Sequence, residues 1–398
     1  MSSNIMDTSS SSSSIQTNDE QQTNGELSDD ENGLNGAQYL AFIMAIIFSS
    51  SISLSGSILI IRMLWRKLTK AYHRILFTIS LVDVALSSSN LFHLVLVPMD
   101  KTGNPYAFGN GTTCSMVGFV LNVCMIAVSI YNAFLSVNFL MQIRYQWKDD
   151  QIKRWIEPFV HAAAAVLSLT LPVLAVSWRM MNPEIVSGLC MMVEYPNGCN
   201  DDEEVECING ADVGGLLGYS AAAIIYLFGF VGFGCTFGLY WTVRSTIKRN
   251  ERFAADSTLS DRHKQRLRRV SWQCNMYALA YLNTIMWPAI HQILLGVWSA
   301  LDDRPGDIGP FLLVLISILF FPLQGFFNML VFVSPRYQLW RNALPEEPWT
   351  YVLRCTLSLE DPPTGRTSTT NFGSTTLQHS NHFLTSKRSV GTAPTATQ

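Results

Sequence analysis

The sequence predicts an all-α membrane protein: a seven-transmembrane helix bundle with its N-terminus outside and its C-terminus inside. Two observations predict it. Seven apolar runs punctuate the 398 residues, and the cations collect in alternate connections between them. The runs are Ala37–Ile61, Ile75–Val97, Ser115–Ile143, Pro158–Trp178, Val213–Val243, Val270–Leu301 and Ile308–Pro335. Each holds about 20 residues or more, and a helix rising about 1.5 Å per residue then crosses a hydrocarbon core of about 30 Å.

Charge sets the expected orientation. The first connection carries Arg62, Arg66, Lys67, Lys70 and Arg74. The third carries Arg144, Lys148, Lys153 and Arg154. The fifth carries Arg244, Lys248, Arg249, Arg252, Arg262, Lys264, Arg266, Arg268 and Arg269. With the C-terminal tail, 24 of the 27 Lys and Arg fall on one side, leaving Lys101, Arg179 and Arg304 on the other. The basic side is expected to be cytoplasmic. An odd number of spans puts the two ends on opposite sides, so count and charge agree. The net charge of -3 hides this division.

A chain with 48% hydrophobic and 14% charged residues fits one polytopic domain with polar tails. Residues 1–36, rich in Ser, Asn and acids and free of Lys and Arg, are expected to be a disordered extracellular tail. No secretory signal peptide is read there. The membrane domain spans 37–335, followed by an amphipathic or interfacial helix region over 336–354. Residues 355–398 read as a disordered cytoplasmic tail with Ser/Thr clusters at 367–370 and 374–376. Those clusters either stay solvated or accept phosphates that create a docking site.

Four of the eight cysteines, Cys114, Cys190, Cys199 and Cys207, fall on the outer side, where thiols oxidise. Three pairings are possible. The one expected joins Cys114 to Cys190, tying the third helix to the long second outer loop, and closes Cys199 on Cys207. Cys124, Cys235 and Cys274 lie within runs as small core residues, and Cys355 is cytoplasmic. Asn110-Gly111-Thr112 is a glycosylation sequon in the first outer loop, only a few residues from the third helix.

Asp83 is the one clear intramembrane acid, and such a group needs a reason to be there. It either organises an internal polar or cation site that changes with state, or sits as a buried carboxyl bonded to Asn neighbours. Asn122, Asn132 and Asn138 on the third helix, and Asn275 and Asn283 on the sixth, are expected to bond between helices. His93, His161 and His291 either titrate near neutral pH or, as lone histidines more often do, make structural hydrogen bonds. Trp287-Pro288 lies midway along the sixth run, where the proline removes a helix hydrogen bond. The resulting kink either packs statically or lets the cytoplasmic half of that helix swing. Pro322 and Pro172 have similar placements in the seventh and fourth runs.

Several classes are excluded by what the runs lack. The seventh run has no Lys for a retinal Schiff base. No chain of intramembrane acids and bases suggests a proton pump. No metal-ligand or phosphate-binding signature supports an enzyme, so no catalytic residue, metal or other cofactor is expected. Nor is a nucleic-acid partner. Seven spans without paired halves fit an inverted-repeat transporter poorly.

The segment from Phe321 to Phe332, with Gln324-Gly325-Phe326 followed by Asn328, resembles the seventh-helix signature of G-protein-coupled receptors of the secretin-like and cyclic-AMP-receptor-like groups. Ser334-Pro335 and the residues to Arg341 resemble the turn into their short interfacial helix. On the third helix, Cys114 matches the family disulfide cysteine, and Tyr131-Asn132-Ala133-Phe134-Leu135 resembles its mid-helix pattern. The chain departs from the secretin-like group in having no large Cys-rich outer domain and in carrying Asn138 where a glutamate is usual. It lacks the Asp-Arg-Tyr triplet of rhodopsin-like receptors, with only Arg144-Tyr145 near it. The cyclic-AMP-receptor-like branch is favoured.

The resemblance implies a plasma-membrane receptor transmitting an extracellular ligand signal to a heterotrimeric G protein. Trp287, Pro288, Gln324, Gly325 and Asn328 would form the activation switch, and Arg144, Arg244, Lys248, Arg268 and Arg269 would meet the G protein. The ligand is not legible. An outer loop with Glu184, Glu194, Asp201, Asp202, Glu203, Glu204, Glu206 and Asp212 suits a cationic ligand or merely keeps the loop soluble, and it suits an anionic nucleotide poorly. A seven-helix transporter or channel and a non-signalling membrane scaffold remain the alternative readings.

Overall fold

The computed structural model describes residues 36–98, 107–184, 188–196, 199, 206–210, 214–253, 258–300 and 308–358. Within the helices, the side chains at 36, 39, 214–215, 246–253, 258–270, 295–300, 308 and 310 stand outside that description. So do both expected tails, apart from Gly36 and 355–358, and the acidic stretch 200–205.

The protein is an all-α membrane protein. Its long helices are α1 (Gly36–Leu64), α2 (Ala71–Leu96), α3 (Gly111–Arg144), α4 (Asp149–Ser177), α5 (Gly214–Phe253) and α6 (Thr258–Ala300). The last column is α7 (Ile308–Phe320), a 3₁₀ turn over Phe321–Leu323, and α8 (Gln324–Ala343), and the short α9 (Trp349–Leu357) follows. Among the described residues, six helical columns are long and apolar enough to cross a membrane: α1 to α5 and α7–α8. The sixth run, as far as Ala300, lies inside α6, which packs between α5 and the α7–α8 column.

The bundle is built around α3. It touches α2, α4, α5 and α6 and the connection from α4 to α5, while α1 closes the ring between α2 and the α7–α8 column. Its apolar residues Leu121, Ile126, Ile130 and Leu135 are fully buried. Other helices turn one side outward, and exposed Phe48, Phe92, Phe159, Leu227, Phe230 and Phe237 make that side fit for lipid. In hydrocarbon every backbone polar group must be satisfied within the helix, and this favours long unbroken helices over irregular connections.

Local signals account for the ends. At the start of α3, Asn110 Oδ1 accepts from the backbone N–H groups of Thr112 and Thr113 at 3.0 Å each, and Thr113 Oγ1 accepts from the Asn110 N–H at 2.8 Å. This reciprocal cap satisfies donors that have no helical partner. The exposed sequon therefore doubles as a helix cap, with the Asn110 Nδ2 left out of the capping bonds. The connection from α4 to α5 forms a hairpin of β1 (Met181–Pro183) and β2 (Cys190–Met192), antiparallel, with Met181 opposite Met192 and Pro183 opposite Cys190.

Some expected boundaries need correction. Pro335 does not end the seventh helix: α8 runs through it to Ala343. Its ring leaves one backbone bond unmade, and the buried Trp340 keeps the following turns packed. The amphipathic helix is α9, shifted towards the C-terminus from the expected 336–354 and reaching past Cys355, with Val352 and Thr356 buried and Arg336 Nη2 donating to Ser358 O at 2.8 Å. Pro322 makes a 3₁₀ turn, whereas Pro172 and Pro288 sit inside continuous helices.

The disulfides are Cys114–Cys190 and Cys199–Cys207, with Cα separations of 5.6 and 5.3 Å. The first crosses a sequence separation of 76 residues and fixes the hairpin to α3. Gly118, one turn further along α3, lets the hairpin lie close: a Cβ there would stand 2.7 Å from the Cys190 carbonyl oxygen. Cys114→Ala is expected to destabilise the fold by about 2–5 kcal/mol and to lower surface expression. Thermal unfolding of purified protein and surface labelling check this, and normal values in both would deny the link a structural role.

Candidate functional site: a polar seam around the 3₁₀ turn

α1 carries a polar face within an apolar helix. Ser49, Ser50, Ser53 and Ser57 are all buried, and Gly56 lies among them. Spacing of three and four residues puts Ser50, Ser53 and Ser57 on one side. These short side chains permit close helix approach. The partner is the start of α8. A Cβ on Gly56 would stand 3.0 Å from the Gly325 carbonyl oxygen, and one on Gly325 would stand 2.8 Å from both the Ser53 carbonyl oxygen and its Oγ, overlapping Ser57 Oγ as well. The two backbones meet where neither can carry a side chain.

The 3₁₀ turn explains what this contact supplies. The first N–H groups of a helix lack helical acceptors. The Gly325 N–H, in the first turn of α8, instead donates to Ser53 Oγ at 3.0 Å. One turn on, Asn328 Nδ2 donates to Asp83 Oδ2 of α2 at 3.3 Å. Asp83 and Asn328 are almost fully buried, at 1% and 0% exposure. The α8 start thus bonds to both α1 and α2.

The seam is incompletely satisfied. Ser50 Oγ, Ser57 Oγ, Asp83 Oδ1, Asn90 Nδ2, Gln324 Nε2 and Asn328 Oδ1 are buried without a hydrogen-bond partner. Each such group costs about 1–3 kcal/mol.

Next to it lies the proline of α6. Trp287 stacks near Phe320, with ring centroids 5.9 Å apart, and Phe320 immediately precedes the 3₁₀ turn. That turn contacts α1, α2, α6 and α7. The expected switch residues therefore flank one short segment: Trp287 and Pro288 before it through Phe320, Gln324, Gly325 and Asn328 after it. Trp287 Nε1 and, one turn away, His291 Nε2 are also buried without partners.

Asn132 and Asn138 stand apart from this group. Asn132 donates to its own helix at Val128 O, 2.9 Å away, and borders a cleft with Ser136, Gly232, Tyr277 and Tyr281. Asn138 Oδ1 accepts from Gln142 Nε2 at 3.4 Å, and Gln142 Nε2 also donates to Asp149 Oδ1 at 3.1 Å. The expected interhelical role of Asn132 is thus not among its described bonds, since its amide finds a nearer acceptor one turn back. Asn122 likewise bonds Gly118 O of its own helix, at 2.8 Å.

The basic end has a clasp that the sequence runs concealed. Arg74 of α2 holds Glu157 of α4 through Nε and Nη2, both at 2.7 Å, and Arg74 Nη1 donates to Leu68 O and Thr69 O. Glu157 sits one residue before the fourth apolar run and so escaped notice. Nearby, burial pushes the Lys70 ammonium down from its usual range while Asp149 pulls it back up. Arg144 and Arg244 are exposed, and Arg244 Nη1 reaches Tyr240 Oη at 3.3 Å. Lys248, Arg268 and Arg269 lie on α5 and α6, with side chains outside the described residues. Among the described residues no group of His, Cys, Asp and Glu could hold a metal ion.

Gly325→Val is expected to destabilise the bundle by about 1–3 kcal/mol through overpacking. Gly234→Val, at a position with nothing within 4 Å, is the control and should leave folded yield nearly unchanged. Comparing their melting curves in one detergent checks this. A double-mutant cycle on Arg74→Ala and Glu157→Ala should give a coupling of about 1–3 kcal/mol, because each partner otherwise leaves a partly buried charge. No known family model matches the chain, and no curated protein matches it.

Proposed function

We propose that the chain is a G-protein-coupled receptor of seven membrane helices, with α6 as the sixth span, the disulfide-bonded hairpin outside and the basic end in the cytoplasm. The observation that carries the proposal is the 3₁₀ turn. It places Trp287 on one side and Gln324, Gly325 and Asn328 on the other, with an under-bonded polar seam between. A ligand pressing on the outer half of the bundle would shift Trp287 against Phe320 and trade hydrogen bonds within the seam. The kink at Pro288 converts such a shift into movement of the basic half of α6. That movement would open the cytoplasmic face near Arg144 and Arg244, where an acidic partner surface is attracted.

The residue pattern from Phe321 to Phe332 favours this reading over a transporter or channel. Only Asp83 among the described span residues offers a deeply buried charge, and a single acid makes a poor ion pathway.

Nucleotide exchange on a panel of Gα subunits tests the proposal, using membranes that contain the full chain, with and without fractions of extracellular ligand. Exchange is expected to rise several-fold above that of membranes lacking the chain for at least one Gα. Trp287→Ala is expected to change the basal rate. No exchange in any combination, together with solute or ion flux from reconstituted liposomes, would replace this reading with the transporter one.

A further inference from the structure

The second outer loop is held by more than its disulfide. His93 lies close to the end of α2 and is 1% exposed. Its Nε2 is 2.9 Å from the backbone nitrogen of Cys190, and its Nδ1 is 3.2 Å from the carbonyl oxygen of Ser89. A backbone N–H only donates, so Nε2 must be the bare nitrogen that accepts it. The ring proton then sits on Nδ1 and is donated to Ser89. Both neighbours specify the same neutral tautomer.

We propose that His93 is a proton-operated latch: its neutral ring holds the Cys190 hairpin shut over the end of the bundle, and acid releases it. An imidazolium carries N–H on both nitrogens. Its Nε2–H would face the Cys190 N–H, donor against donor, with no acceptor between them. His93 must let go of Cys190 before it keeps a second proton. Protons therefore bind the open arrangement in preference to the closed one, and falling pH populates the open one.

Among the described residues the surroundings offer the imidazolium no compensation. α3 presents Cys114, Val117 and Gly118 to this region, and the hairpin presents Cys190, whose sulfur is already in the disulfide. The connection ahead of α3 presents Val97 and Ala107, and α2 itself presents Ser89 and Asn90. None of these groups titrates, and among the described residues no carboxylate faces the ring.

Release would be felt inside the bundle. Residue 191 follows Cys190 on the same strand, and its methionine side chain packs against the buried cluster of Leu86, Leu121 and Cys124, against which Phe321, the first residue of the 3₁₀ turn, also packs. Freeing the Cys190 N–H loosens that seat. The bond to Cys114 stays covalent, so the hairpin pivots instead of leaving. The latch stands on these contacts alone and does not require the receptor reading.

Hydrogen exchange of the hairpin in the purified full-length chain tests the proposal. Protection over residues 188–193, corrected for intrinsic exchange rate, is followed from about pH 8 to about pH 5, the span in which imidazoles titrate. Wild-type protection is expected to fall with acid, by up to about tenfold per pH unit beyond the transition. His93→Gln supplies an amide oxygen that accepts without titrating, so its protection should stay flat. The ¹³C resonance of the His93 ring in wild-type protein should move to the imidazolium form only at or below the pH at which hairpin protection begins to fall, because the ring keeps a second proton only in the open arrangement. Flat wild-type protection, an equal fall in His93→Gln, or a ring that becomes protonated while the hairpin keeps its full protection would overturn the latch. If the variant does not fold, the wild-type comparison of ring protonation with hairpin protection decides.

Discussion

The meeting of α8 with α1 at Gly325 and Gly56 is the contact on which the rest of the interior depends. Neither backbone could come so close if either position carried a side chain. The approach is what lets Ser53 Oγ reach the Gly325 N–H, a donor that the 3₁₀ turn leaves without a helical acceptor. It also sets the rotation of α8 so that Asn328, one turn later, faces Asp83. In a medium without water, a helix break is tolerated only where neighbouring helices take over its hydrogen bonds. Here α1 takes one of them, and the serine face of α1 exists at the depth where it is needed.

Around this point the two ends of the bundle are held by different chemistry. At one end a covalent bond, a capped helix start and a close contact at Gly118 fix the hairpin to α3. At the other a bidentate ion pair, Arg74 with Glu157, ties α2 to α4. Between them lies the polar seam, where several buried polar atoms of the described residues lack hydrogen-bond partners. A bundle fastened at its ends and under-bonded at its centre is suited to small internal rearrangements, and the proposed signalling role draws on that distribution.

The long helices were legible because hydrocarbon thickness imposes a length and an apolar composition that few soluble segments share. The helices begin and end within several residues of most expected runs, except that α5 and α6 extend well beyond theirs into the fifth connection. Cys114, Cys190, Cys199 and Cys207 were legible as a set, and their pairing is seen in the structure. Less was legible in the site. Gln324, Gly325 and Asn328 stood out as a motif, and Asp83 as an isolated acid. The serine face of α1 carried a readable signal, since Ser50, Ser53 and Ser57 repeat at helical spacing, yet serines in an apolar run attract little attention. Glu157 looked like the polar margin of a helix. Asn132 and Asn138 looked like partners for other helices, and the described structure places their bonds within or beside their own.

Length, apolarity and charge distribution along the chain determine that it forms long membrane helices, because those properties belong to each segment separately and need no neighbour. The sequence also determines where helices weaken, since proline removes a donor wherever it stands. Only the tertiary structure decides which segments share a depth. Ser53 and Gly325 are 272 residues apart, and Asp83 and Asn328 are 245 apart. Their encounter depends on the order of helices around α3 and on the rotation of each about its axis. Those rotations are set by side-chain packing between helices, which no single run of residues contains.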